Sequence, residues 1–174
     1  MSPGDRPPLA FGGLVEGFYG PPFSHAERLA WIERLGHLGL DLYVVAPKDD
    51  PHQREAWREP HPPAVRARFA ELAARGAARG VRLGLAVSPG LSIRYADRED
   101  RAILVDKLRG YRDDGARFVA LALDDVPSEL AHPEDRAAFG SLAEAHVALA
   151  HAALEALGDD ATLWLVPTDY VGVG

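Results

Sequence analysis

The chain contains no cysteine, which excludes disulfide frameworks, zinc-thiolate centres and thiol nucleophiles, and leaves the redox compartment unread. It also lacks any basic run. The 19 Lys and Arg are dispersed among 26 Asp and Glu for a net charge of −7, and such a chain has no stripe with which to follow a phosphate backbone. Nucleic acid is not an expected partner. No apolar stretch approaches the roughly 20 residues that span a bilayer. Residues Met1 to Ala10 are polar and proline-bearing where a secretory leader would place a basic start and an apolar run. A cytoplasmic protein with no membrane partner is the expectation. Phosphate-binding loops of the G-x-G-x-x-G and GxxxxGK[ST] types are missing, as is a G-x-S-x-G nucleophile elbow. The seven histidines show no HExxH or similar ligand spacing, so neither a metal nor a cofactor is expected.

What the chain does have is a globular balance, 47% hydrophobic and 26% charged, which predicts a packed core. Short apolar segments alternate with longer helical ones, the pattern of βα units that build a parallel sheet covered by helices. Five strands are predicted near Phe11 to Glu16, Asp41 to Ala46, Arg82 to Ser88, Phe118 to Leu123 and Thr162 to Val166. Runs such as Leu42 to Ala46 are almost continuously apolar, as strands buried on both faces require. Ser24 with Glu27 three residues on reads as a capping box for a helix to about His37, with Gly39 just beyond it. Further helices are predicted from Pro62 or Pro63 to about Arg79 and from about Asp97 to Asp113. The longest is predicted as one element from about Pro133 to Leu157, before Gly158. Five βα units suit either an open doubly wound sheet or the first part of a (β/α)₈ barrel, and periodicity does not choose between them.

Residues unsuited to core or helix gather just after each strand: Glu16 to Pro22, Pro47 to Pro51, Ser88 to Gly90, Asp124 with Asp125, and Pro167 to Tyr170. In a parallel barrel these ends converge on one face, where polar groups are more often functional than structural. The glycines and prolines also suit simple chain turns. Two carboxylates closing an apolar strand are costly to desolvate unless used or compensated. Mutual repulsion would keep one of the pair protonated beside a charged neighbour, an arrangement suited to acid and base work. Alternatively, one Asp caps the next turn or pairs with Arg117 or Lys48. Lys48 suits either a polar ligand or the neutralisation of Asp49 and Asp50. Tyr170 offers a ring and a hydroxyl to a ligand, or packs. Trp57, Arg58 and Glu59 lie in a long loop that either shapes a pocket or forms an ordered lid on the rim.

Taken together, Gly13 to Pro22, Tyr43 to Pro51, Trp57 to Pro60, Ser88 to Leu91, Asp124-Asp125 and Pro167 to Tyr170 resemble glycoside hydrolase family 84. These are β-N-acetylglucosaminidases that include protein O-GlcNAcases and enzymes named hyaluronidases. The resemblance implies an α/β fold of the (β/α)₈ type. It also implies substrate-assisted retaining hydrolysis through an oxazoline, without a cofactor and on an N-acetylglucosaminide carried by a glycoprotein or glycan. By motif position it makes Asp124 the carboxylate that orients the acetamido N–H and Asp125 the general acid and then base. Gly17 and Lys48 fall on the sugar hydroxyls and Tyr170 on the acetamido group. The family's barrel continues through three more strands bearing pocket Asn and Asp, and nothing here matches them. Residues 1–174 therefore read as a single, truncated catalytic domain holding about the first five βα units. Its open sheet edges favour self-association. The alternative is a catalytically inactive remnant or an N-acetylglucosamine-binding module.

Overall fold

The computed structural model describes residues 11–124 and 126–168. Strands β1 (Gly13–Glu16), β2 (Leu42–Val45), β3 (Arg82–Val87), β4 (Phe118–Ala122) and β5 (Thr162–Val166) alternate with helices α1 (His25–His37), α2 (Pro63–Ala77), α3 (Arg98–Asp113), α4 (Pro133–Ala138) and α5 (Leu142–Leu157). All strand pairs are parallel, and the sheet order is β1-β2-β3-β4-β5. That order decides the ambiguity left by periodicity. A doubly wound sheet reverses its strand order at a switch point, whereas a barrel lays each strand beside its predecessor.

Local chemistry explains the boundaries. The Ser24 hydroxyl accepts from the Glu27 N–H at 3.3 Å, and the Glu27 carboxylate accepts from the Ser24 N–H at 2.7 Å, completing the capping box of α1. Asp97 caps α3 by accepting from the Glu99 and Asp100 N–H groups at 2.7 and 3.1 Å. Gly39 and Gly80, at φ of 69° and 71°, turn the chain out of α1 and α2 in a conformation that costs other residues a Cβ clash.

The helix expected from Pro133 to Leu157 is in fact two. Phe139 is extended, and a new cap follows, in which the Ser141 hydroxyl accepts from the Glu144 N–H at 3.2 Å. The Glu144 carboxylate accepts from the Gly140 N–H at 2.8 Å. This cap satisfies backbone donors that a continuous helix would have used, so an alanine-rich composition yields to a local start signal.

Every second side chain of the sheet faces the helices. Tyr43, Val45, Leu83, Leu85, Val119 and Leu121 join Leu72, Leu104, Leu108 and Leu149 in the main core. Each fully buried leucine contributes about 1.5–3 kcal/mol relative to exposure. The alternate residues, Leu42, Val44, Ala46, Ala86, Phe118 and Ala120, form a second cluster with Trp164 on the inner face. The segment after β2 is strapped onto this frame. Trp57 is fully buried with its indole N–H donating to the Ser92 hydroxyl at 3.0 Å, and Arg58 makes two 2.7 Å bonds to the buried Asp100. Trp57 thus belongs to an ordered strap on the rim, not to a ligand surface.

Candidate active site

The period of two that separates the faces continues past the strand ends and decides which loop residues meet. Lys48 lies two residues beyond Ala46, and Asp124 four beyond Ala120, so both extend the inner face. Their charged groups converge there, with Lys48 Nζ at 3.9 Å from Asp124 Oδ2 and both side chains mostly covered, 16% and 26% exposed. Lys48 and Asp124 are 76 residues apart in sequence, yet the sheet brings them together at its C-terminal end. Of the alternatives open for this aspartate, pairing with Arg117 is excluded. Arg117 precedes β4 at the opposite end of the sheet, where its guanidinium reaches the Asp160 carbonyl.

The neighbours of Lys48 have their own tasks. Asp49 accepts from the Gly20 N–H at 3.0 Å. Asp50 accepts from His61 Nε2 and from the His52 N–H, both at 2.9 Å. Burial pushes the Asp50 carboxyl up, but the His61 hydrogen bond and charge outweigh it and hold the group below the usual carboxylate range.

Asp124 borders a small cleft with Arg54, Ser88, Gly90 and Val126. A side chain at Gly90 would run into Val126, which gives that glycine a packing reason beyond turning the chain. Ser88 is tied to the strap by its N–H donating to the Gln53 carbonyl at 2.8 Å. Arg54 reaches out of the cleft to the Tyr19 hydroxyl at 3.2 Å, and the Tyr19 ring is 67% exposed on the rim.

Gly17 sits exposed one residue beyond β1, where an added Cβ would meet only the Val15 side chain, at 3.3 Å. Asp125 and Tyr170, the other two expected site residues, lie outside the described residues. The structure therefore brings Lys48 and Asp124 together with the Gly17 turn alongside them, the Lys48 N–H donating to the Phe18 carbonyl at 3.1 Å. No group of three or more His, Asp and Glu among the described residues converges as a metal site. A roomier cleft exists on the helical side, lined by Arg58, His61, Lys107 and Tyr111, away from these strand ends.

One residue of this region was missed as an individual. Glu16, the last residue of β1, is completely buried and accepts from Arg28, Tyr43 and the Phe23 N–H. A charged residue closing a strand immediately before a Gly-aromatic turn was the available signal. Its partners, 7 to 27 residues away, were not legible.

A family model described as beta-N-acetylglucosaminidase matches residues 12–174. Protein O-GlcNAcase of Rattus norvegicus and that of Mus musculus are each 32% identical over 160 residues, covering 92% of this chain. The chain spans only 17% of the length of those relatives. Among solved structures, a mutant of the O-GlcNAc hydrolase of Thermobaculum terrenum superimposes with a TM-score of 0.89 at 34% identity, over 93% of this chain and 36% of that one.

Proposed function

The chain belongs to the O-GlcNAcase-like beta-N-acetylglucosaminidases of glycoside hydrolase family 84, and from that premise we propose that it carries the acid/base half of a pocket that hydrolyses terminal β-linked N-acetylglucosamine with retention of configuration. In this reading the 2-acetamido oxygen of the sugar attacks its own anomeric carbon as the glycosidic bond breaks, giving an oxazoline that water then opens. Asp124 accepts the acetamido N–H, which aims the carbonyl oxygen at the anomeric carbon and offsets the positive charge that grows on the closing ring. Asp125 protonates the departing oxygen and afterwards takes a proton from the incoming water. Lys48 and the backbone at Gly17 hold sugar hydroxyls, and Tyr170 steadies the acetamido group. No step needs a cofactor. The named relatives favour N-acetylglucosamine linked to protein as the substrate, within the wider class of glycoproteins and glycans.

The observation that carries this reading is the meeting of Lys48 and Asp124 on the inner face at the C-terminal end of a consecutive parallel sheet. This is the end at which barrel enzymes assemble their sites. A cation and a carboxylate there, mostly covered yet bordering a cleft, supply two polar anchors for a sugar that is itself rich in hydroxyl and amide groups.

Release of 4-nitrophenol from its N-acetyl-β-glucosaminide tests the proposal. Asp125→Ala is expected to lower the rate by about 10²–10⁴-fold while the protein stays folded. If wild type and variant were equally inert in the folded state, hydrolysis would be rejected. Binding of N-acetylglucosamine without turnover would then identify a binding module.

A further inference from the structure

A carboxylate with no exposure at all is an expensive thing to place at the end of a strand, and Glu16 is one. Its cost is offset by a full set of donors. Oε1 accepts from the Phe23 N–H at 3.0 Å and from Arg28 Nη2 at 2.9 Å, while Oε2 accepts from Arg28 Nε at 2.9 Å and from the Tyr43 hydroxyl at 2.7 Å. The bidentate Arg28 pair explains how the charge is tolerated. The bond to Phe23 does something further. Residues 17–22 form the turn between Glu16 and Phe23, so the side chain at the base of the turn grips the backbone at its far end and closes the turn into a ring.

The crown of the same turn is held from the other side. Asp49 Oδ2 accepts from the Gly20 N–H at 3.0 Å, and the Phe18 carbonyl accepts from the Lys48 N–H at 3.1 Å. Both contacts come from the loop that carries Lys48 to Asp124. Two carboxylates, one buried and one exposed, thus fix the turn that begins at Gly17: Glu16 closes it on itself and Asp49 ties it to the loop that presents Lys48.

From this geometry we infer that Glu16 and Asp49 are positioning residues for sugar binding, which preset the Gly17 turn relative to Lys48 before substrate arrives. Neither touches the substrate, and the inference rests on the reading of Gly17 and Lys48 as hydroxyl-binding groups. Preset geometry lowers the ordering cost of binding, so losing it raises KM more than it lowers kcat.

The test uses the protein in its full natural length. Asp49 is exposed, so Asp49→Ala removes one clamp without opening the core. Tyr43→Phe weakens the other without leaving Arg28 unpaired. For Asp49→Ala we expect KM for 4-nitrophenyl N-acetyl-β-glucosaminide to rise roughly fivefold, with kcat changed less than about twofold and the thermal midpoint unmoved. Asp49→Asn, which keeps an acceptor oxygen, restores KM. Amide hydrogen exchange at Gly20 and Phe23 speeds up in the Asp49→Ala and Tyr43→Phe variants respectively. Unchanged exchange would overturn the clamp itself. Faster exchange with unaltered KM and kcat would overturn its bearing on the substrate. If the unaltered protein neither binds nor hydrolyses the glycoside, the reading of the site and the substrate part of this inference fall together, while exchange still decides whether the turn is clamped.

Discussion

The two faces of the sheet are built to different specifications. The helix-facing side presents Tyr43, Val45, Leu83, Leu85, Val119 and Leu121, all buried in the main core. The inner side mixes small residues, Ala46, Gly84, Ala86, Ala120 and Ala122, with Leu42, Val44 and two aromatics, Phe118 and Trp164. Large side chains on the outer face anchor the helices. Small ones on the inner face leave room at the strand ends, where Lys48 and Asp124 emerge in the same alternation. Stability and chemistry are thereby assigned to alternate residues of the same strands, and substitutions one position apart should have separable effects.

The sharpest separation is expected at Asp124. Asp124→Asn should lower kcat/KM by about 10³-fold, equivalent to about 4 kcal/mol of transition-state stabilisation, yet shift the thermal midpoint by no more than about 2 °C. Parallel loss of activity and stability would merge the two faces into one role. Leu85→Ala, on the helix side, should show the converse. A loss of about 3 kcal/mol in urea unfolding is expected, with kcat per folded molecule preserved, because the cavity opens on the helix-facing side of the sheet, opposite the face that carries Lys48 and Asp124. A specific activity that fell with it would show the outer core reaching into the chemistry.

The smallest effect concerns α3. Burial holds the Lys107 ammonium down to about 8, although Nζ donates to the Glu59 carbonyl at 2.7 Å. Between that value and the usual lysine pKa near 10.4, the unfolded chain keeps a proton that the folded one has released. Stability should therefore rise with pH from about 8 to about 10, since the unfolded state binds more protons there. Lys107→Met should flatten this slope and add about 1 kcal/mol near pH 7, because the desolvation penalty outweighs one lost hydrogen bond. Urea titrations across that range measure it, and an unchanged slope in the variant would assign the pH dependence to other groups.

Much of this arrangement was legible because it rests on local rules. Parallel strands buried on both faces announced themselves as apolar runs. Ser24 and Asp97 capped where short polar side chains before a helix should, and Gly39 and Gly80 followed the helices they end. The legible part of the site was its location at the strand ends and, as one of the alternatives left open, the pairing of Asp124 with Lys48. What escaped were other relations between distant residues. The Arg58 pair with Asp100 spans 42 positions, and Asp100, in the first turn of α3, is the buried anchor of the strap. Glu16 was visible only as part of a motif, because its burial depends on α1 and β2 arriving beside it. The break before Ser141 was a different failure. Its signal was local, a Ser with Glu three residues on, but surrounding alanines masked it.

The strand order carries one more consequence, for the way the chain reaches this state. Each strand after β1 pairs with the strand before it, so its partner lies one helix back in sequence, or two between β4 and β5. A polypeptide leaving the ribosome at about 5–20 residues per second needs no later segment to dock a strand that has just emerged. Sheet growth can keep pace with synthesis, adding one strand at a time with the helix or helices that precede it. Of the two edges exposed at any moment, β1 and the newest strand, the newer is covered as soon as its successor docks, which shortens the interval in which aggregation competes with folding.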